Sequence, residues 1–291
     1  MRSTHVEVIE SGVQDEGAEK LAHSANIPPC PTILTKLIRE TRAEEPDFRK
    51  VTQLVSGDVA LASACLTLVN SALFGLRNKA TSVHQAISLL GLDATTQMVT
   101  GLLLKQAFNS ASGPGIERYW KDSTATALVA ATVARESGRR DNATPYTYAL
   151  FRDCGMPVMH GAFTIYDDIL DGSAVSADSP ILEVENMRYA MNHARVGYQL
   201  ARTWHLSDEV CLAILHHHDM ASDPDVWGQD GADAVNLVAI GIIADRIYGG
   251  ITGRESPEWE TGGTWAMELV EISEEKLEEI ATRVKAHLNA S

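Results

Sequence analysis

The sequence predicts an all-α protein built from many short helices. Apolar residues recur three and four positions apart along most of the 291 residues, which is the spacing of one face of a helix. No stretch in the first 110 residues keeps up the alternation of apolar and polar residues that is typical of a half-buried strand. The apolar fraction of 45% and the charged fraction of 22% are those of an ordinary globular protein.

The pattern of residues in the first part of the chain predicts a polar leader followed by a helical lobe. Residues 1–26 form the leader, which lacks the apolar stretch of a signal peptide. Residues 27–110 form the lobe, in which apolar residues at helical spacing mark five helices. Asp58 is suited to cap the third helix because its side chain can accept hydrogen bonds from free backbone N–H groups. Gly91 is expected to end the fourth helix.

The clearest break in the chain is the segment of residues 109–115, which is rich in small residues and contains a proline. The charge changes at the same point. Residues 27–110 carry a net charge of +2, whereas residues 111–250 carry −9. We therefore expect a boundary between two lobes after residue 110.

The second lobe is predicted over residues 111–250 and is also helical. Its helices are expected at residues 120–136, 146–158, 181–204, 207–218 and 235–248. The last of these is nearly all apolar, which indicates a buried helix. A loop is predicted over residues 249–265, and an amphipathic helix capped by Ser273 is predicted after it. Residues 251–291, which contain most of this loop and the helix, are expected to pack on the second lobe.

The formal net charge is −15, from 24 Lys and Arg against 39 Asp and Glu. Broad nucleic-acid binding and attraction to an anionic membrane are disfavoured, because both need a basic surface. The longest uninterrupted apolar run, residues 237–244, is far shorter than the roughly 20 residues that span a bilayer. The four cysteines form no CxxC pair, which is typical of a reduced chain. We therefore expect a cytoplasmic protein.

Histidines and buried carboxylates are the candidate functional residues. Three successive histidines, His216 to His218, end a predicted helix. Because successive helical side chains point about 100° apart, at most two of the three can face one site. Metal ligation and a role at the helix end, where imidazolium balances the helix dipole, both remain open. Asp153 and Asp245 interrupt apolar segments beside arginines, so their carboxylates are either paired or bound to a metal. His193 lies within a predicted helix, where a structural role competes with ligation.

Short motifs recur in order between residues 27 and 245. They are IPPCP at 27–31, VSGD at 55–58, LVNS at 68–71, FG at 74–75, AISLLG at 86–91, YWKDS at 119–123, residues 149–158, NHARVG at 192–197, WHL at 204–206 and residues 214–218. Each motif is weak alone, but the ordered set resembles the HDOD family, bacterial signalling proteins related to the HD metal-dependent phosphohydrolases. The resemblance implies an all-α fold of two helical lobes, of which the second is HD-like.

The resemblance also implies a set of metal-site positions. In the HD relatives a metal is held by a histidine on the first helix of the HD-like lobe, an adjacent His-Asp pair, further histidines and a late aspartate. These roles fall on Asp122, Arg152, Asp153, His193, His217 and Asp245. Asp122 and Arg152 stand where the relatives have histidine, and a guanidinium cannot ligate a metal. The candidate ligands that remain are Asp153, His193, His217 and Asp245. They could hold at most one divalent ion, and no other cofactor is expected.

The altered ligand pattern favours a non-catalytic descendant of the phosphohydrolase fold, in which an Arg152–Asp153 ion pair fills the former two-metal site. We expect a regulatory module that passes a signal to a protein partner through helix contacts. The alternative is a metal-dependent phosphohydrolase or cyclic-nucleotide phosphodiesterase with rearranged ligands, and a small-ligand sensor is a third hypothesis. The sequence has no P-loop, GxSxG, HExxH or dinucleotide-binding motif to support another enzyme class.

Overall fold

The computed structural model describes residues 27–70, 79–108, 113–139, 143–163, 165–176, 180–219, 227, 231–254 and 256–288. The predicted leader lies outside the described residues, as do residues 109–112 of the predicted boundary segment. The described part is helical and contains no β-strand, which confirms the all-α prediction.

Five helices precede the boundary segment among the residues that the structure describes. They are α1 (Thr32–Thr41), α2 (Phe48–Ser56), α3 (Val59–Val69), α4 (Val83–Leu90) and α5 (Leu92–Ala107). Asp58 caps α3 as predicted, because its Oδ1 atom accepts the N–H groups of Ala60 and Leu61. Gly91 ends α4 with φ of +82°, a positive value that glycine adopts without a steric cost, and the chain turns directly into α5.

Ten further helices follow among the described residues. They are α6 (Pro114–Glu136), α7 (Ala143–Phe151), α8 (Gly155–Ala162), α9 (Asp167–Leu170), α10 (Ile181–Tyr189), α11 (His193–Thr203), α12 (Asp208–His216), α13 (Ala232–Thr252), α14 (Pro257–Val270) and α15 (Glu274–Leu288). The Ser273 hydroxyl accepts the backbone N–H of Lys276 at 3.2 Å, so Ser273 caps α15 as predicted.

Two long helices predicted in the second lobe are each divided in two. The predicted helix 181–204 breaks after α10, because Ala190 takes a left-handed conformation and the Asn192 side chain caps a new helix. The predicted helix 146–158 breaks at a turn over residues 152–154. Pro157 then lies in the first turn of α8, where a backbone N–H has no partner within the helix. The periodicity did not reveal either break.

The prediction of a loop over residues 249–265 is wrong. α13 continues to Thr252, and Gly253 ends it with φ of +77°. α14 then begins at Pro257, a position that favours proline because its missing N–H would be unpaired there. The two glycines of α14, Gly262 and Gly263, are buried in helix contacts, so their presence did not indicate a loop.

α13 is the central helix of the second lobe and contacts α6, α7, α12, α14 and α15. By length and composition it could cross a membrane, but 67% of its apolar window is buried within the protein. α5 of the first lobe packs on α7, where the side chain of Leu150 lies over Gly101. The buried apolar residues of the two lobes therefore form one continuous cluster.

Candidate metal centre

Four side chains converge in the second lobe. They are Asp153, His193, His217 and His218, and one potential ligand atom from each lies within 4.8 Å of the others. Asp153 lies in the turn between α7 and α8, His193 is the first residue of α11, and the two other histidines follow the end of α12. The cluster therefore forms where the ends of three helical segments meet.

The close packing of α8 on α11 brings Asp153 beside His193. A Cβ atom at Gly155 would lie only 2.0 Å from the carbonyl oxygen of His193. A Cβ atom at Gly197 would lie 3.2 Å from the backbone nitrogen of Gly155. The two backbones are thus in direct contact, which is possible only because glycine has no side chain.

The distances between the potential ligand atoms fit a single metal ion. The Nε2 atom of His193 lies 3.3 Å from Nε2 of His217 and 3.1 Å from Nε2 of His218. The Oδ1 atom of Asp153 lies 3.2 Å from Nε2 of His217 and 3.6 Å from Nε2 of His193. Ligands bound tetrahedrally at about 2.0 Å are about 3.3 Å apart, and these four distances lie close to that value, while all four ligand atoms lie within 4.8 Å of one another.

The other ring nitrogen of each histidine faces a hydrogen-bond acceptor. Nδ1 of His193 lies 2.8 Å from Glu185 Oε2, and Nδ1 of His217 lies 2.7 Å from the carbonyl oxygen of Ile214. Nδ1 of His218 lies 3.4 Å from Glu258 Oε1. A hydrogen on Nδ1 of each ring would be donated to these acceptors and would leave the Nε2 lone pairs facing one another. Metal-ligating histidines are typically held in this way by carboxylates and carbonyls.

Three lone pairs and a carboxylate oxygen repel one another unless a positive charge lies between them. Burial lowers the pKa of His193, but Glu185 and Asp153 outweigh it and raise that pKa to about 9. Burial and the neighbouring His218 lower the pKa of His217 to about 4. Without a metal, a proton on His193 therefore supplies the positive charge at the centre of the cluster.

Arg152 bridges two aspartates beside the cluster. Its Nε and Nη2 atoms donate to Oδ2 of Asp153 at 3.1 and 2.8 Å, and its Nη1 donates to Asp245. Burial raises the pKa of the Asp153 carboxyl, but Arg152, His193 and His217 outweigh it and hold that pKa well below its usual range. Asp153 therefore uses one oxygen for the arginine and presents the other, Oδ1, to the histidines.

Comparison with known proteins identifies the family. The HDOD domain family matches residues 27–220. The chain belongs to the HDOD family. An uncharacterized protein from Treponema pallidum is 26% identical over 242 residues, which cover 81% of this chain but only 46% of the Treponema protein.

Two solved structures share the HDOD fold. An HDOD domain protein of unknown function from Geobacter sulfurreducens is 19% identical, with a TM-score of 0.68, over 95% of this chain and 96% of its own. A Shewanella amazonensis protein, provisionally named a metal-dependent phosphohydrolase, is 16% identical, with a TM-score of 0.64, over 94% of this chain and 98% of its own. At these identities the two structures show the fold alone.

Three of the four ligands predicted for this HDOD chain meet in the structure, namely Asp153, His193 and His217. The fourth, Asp245, lies close by but is held by Arg152. Asp122 is engaged elsewhere, where its carboxylate accepts hydrogen bonds from Tyr248 at 2.8 Å and Arg254 at 2.6 Å.

His218 belongs to the three successive histidines for which metal ligation was left open, but it was not among the four predicted ligands, and neither were Glu185 and Glu258. Two of the three successive histidines share the cluster from the turn after α12, and His216, the last residue of that helix, pairs with Asp219 at 2.8 Å. The position of His218 next to His217 was the available signal. The two glutamates carried none, because only tertiary contacts bring them to the histidines.

Proposed function

We propose that this HDOD protein is a non-catalytic signalling module that acts on a protein partner in the cytoplasm, and that its HD-like lobe holds at most one divalent metal ion. The observation that carries the proposal is the position of Arg152. Its guanidinium spans Asp153 and Asp245, two of the carboxylates that the resemblance assigns to the metal site. The guanidinium of Arg152 provides a fixed positive charge at this place, where a second metal ion would provide positive charge in a two-metal site.

The charge of the region supports one cation in addition to Arg152. Glu185 is fully buried, and Asp153, Asp245 and Glu258 are each less than 30% exposed. Arg152 is the positive side chain that pairs directly with two of these four carboxylates. Buried charges need compensation, and a divalent ion between the histidines would provide it.

The shape of the region argues against hydrolysis of a phosphate ester. Four protein ligands complete a tetrahedral site, whereas catalytic zinc sites keep one position open for water. The cavity between Arg152 and the histidines has a volume of about 30 Å³. Small-molecule sites usually occupy roughly 300–1,000 Å³, so this cavity has no room for a substrate.

In this proposal, each side chain around the cluster has a structural task. Asp153, His193, His217 and His218 would hold the ion, and a bound ion would stabilise the folded lobe by tying three chain segments together. Glu185 orients His193, and Glu258 connects His218 to α14. Metal occupancy would thereby be linked to the position of α14, a helix outside the HDOD match.

The alternative is a metal-dependent phosphohydrolase, which the convergence of four ligand atoms favours. Elemental analysis of the purified protein and turnover assays with p-nitrophenyl phosphate and bis(p-nitrophenyl) phosphate, with added Mn²⁺ or Fe²⁺, separate the two functions. We expect at most one metal ion per chain and no metal-dependent turnover. Turnover that is lost in Asp153→Ala but kept in the surface control Asp167→Ala would establish the enzyme instead.

A further inference from the structure

A second cavity lies between the two lobes, away from the histidine cluster. Its volume is about 260 Å³, and it is lined by residues of α1, α5 and α7, by the turn between α11 and α12, and by the first turn of α12. The buried Trp204 forms part of its wall. This size suits a molecule of a few non-hydrogen atoms, and its lining comes from both lobes.

Four of the five threonines that line this cavity donate their hydroxyl hydrogens within the protein. Thr41, Thr96 and Thr100 donate to carbonyl oxygens of their own helices at 3.0, 2.9 and 2.7 Å. Thr147 donates to Oε1 of Gln97 at 3.0 Å. A hydroxyl whose hydrogen is engaged can offer a ligand only its oxygen lone pairs. These four hydroxyls can therefore act toward a ligand only as hydrogen-bond acceptors.

The charged residues of the lining point to the same chemistry. Asp93 and Glu209 are its two carboxylates, and Arg42 is its one fixed cation among the described residues. The Nη2 atom of Arg42 donates to the carbonyl oxygen of His205 at 3.0 Å, so that donor is engaged across the lobe interface. Acceptor oxygens and an excess of negative charge favour a ligand that is positively charged and carries N–H groups.

We propose that the cavity between the lobes binds a small organic cation with a primary ammonium or guanidinium group. The ammonium or guanidinium hydrogens bond to the threonine oxygens, and Asp93 and Glu209 balance the charge. Because the lining comes from both lobes, a bound cation stabilises their contact. This proposal does not depend on the metal site, since the cavity and the histidine cluster share no lining residue.

Isothermal titration of the full chain with putrescine and agmatine tests the proposal, with 1,4-butanediol as the uncharged counterpart of putrescine. The titrations are made at about 150 mM salt, which screens attraction to the acidic surface. We expect one binding site per chain for at least one of the two amines and no binding of the diol. Absence of binding by both amines at millimolar concentration, or equal binding of the diol, would overturn the proposal.

Variants locate the binding. Asp93→Asn combined with Glu209→Gln is expected to weaken amine binding about tenfold or more, because two charged partners are lost. Thr100→Val, which keeps the side-chain shape, is expected to weaken it several-fold. Asp208→Asn removes a neighbouring carboxylate outside the cavity and is expected to bind as the wild type does. If all these variants bind alike, the amines bind only to the acidic surface and the proposal is wrong.

Discussion

Glu258 on α14 faces His218, with its Oε1 atom 3.4 Å from the Nδ1 atom of the ring. Burial raises the pKa of the Glu258 carboxyl, but His218 outweighs it and brings that pKa to about 2, so the carboxylate is ionised at neutral pH. α14 lies beyond the residues that match the HDOD family. A helix outside the family match thus completes the surroundings of the candidate metal site.

Replacing Glu258 tests the contribution of α14 to metal binding. Glu258→Gln is expected to weaken Zn²⁺ binding about 10- to 100-fold, because carboxylates behind ligating histidines raise the basicity of the ring and fix its orientation. Competition with a fluorescent chelator measures the change. Glu260→Gln, an exposed position on the same helix, is the control and is expected to keep the wild-type affinity. Equal affinities of the two variants would contradict the role of Glu258.

Glu185 stabilises the fold even when no metal is bound. Its carboxylate accepts hydrogen bonds from the Tyr166 hydroxyl and from both the backbone N–H and the Nδ1 of His193, all of them buried. Glutamine has one acceptor oxygen, so Glu185→Gln leaves its amide group facing a donor. We expect a loss of about 3 kcal/mol in the free energy of unfolding.

The measurement for Glu185 is urea denaturation of the chelator-treated protein. Glu183→Gln, an exposed change on the same helix, is expected to lie within about 0.5 kcal/mol of the wild type. A Glu185→Gln variant as stable as this control would show that the buried hydrogen bonds contribute little to folding.

The contact between α8 and α11 predicts a large effect of a small substitution. Gly155→Ala would place a Cβ atom against the carbonyl oxygen of His193, and neither backbone can move without separating the two helices. We expect a loss of about 1–3 kcal/mol or more in the free energy of unfolding, together with weaker Zn²⁺ binding. Gly161→Ala, where a Cβ atom meets open space, is the control for both thermal denaturation and metal titration. An unchanged metal affinity in Gly155→Ala would show that the contact between α8 and α11 does not determine the geometry of the metal site.

α15 is attached to α6 by ion pairs that involve a carboxylate, so the attachment depends on pH in the acid range. Glu136 of α6 pairs with Lys276 at 2.8 Å and with Arg283 at 2.5 Å, both on α15. The hydrogen bond from Lys276 is the largest cause that lowers the pKa of Glu136 below its ordinary value of 4.5. Because the folded carboxylate binds its proton more weakly than the unfolded one, the stabilisation is complete above about pH 4.5 and is lost as the pH falls through the folded pKa.

Hydrogen exchange of α15 measures this pH dependence. Water screens these charges, so we expect Glu136→Gln to cost about 1 kcal/mol at most at pH 7. The protection of α15 amides, corrected for the intrinsic rates, is expected to fall in acid in the wild type and to change less in the variant. Glu278→Gln on the exposed face of α15 is expected to behave as the wild type. A wild type whose α15 protection does not change with pH would contradict the prediction.

The sequence by itself determined the helical class, the family and three of the four clustered side chains. Helix periodicity and capping are local properties, so Asp58 and Ser273 could be identified as caps from their neighbours in the chain. The ordered motifs identified the HDOD resemblance, which the match over residues 27–220 confirms. Asp153, His193 and His217 followed from that resemblance.

Only the tertiary structure decided which side chains complete the candidate site. Glu185 and Glu258 stand in segments without any local signal, and reach the histidines because α10 and α14 pack beside them. The same packing places Asp245 in an ion pair with Arg152. The residue types alone had left open whether this carboxylate is paired with an arginine or bound to a metal. Helix periodicity records which face of a helix is buried, but not which helix covers it, and the chemistry of this site depends on that second fact.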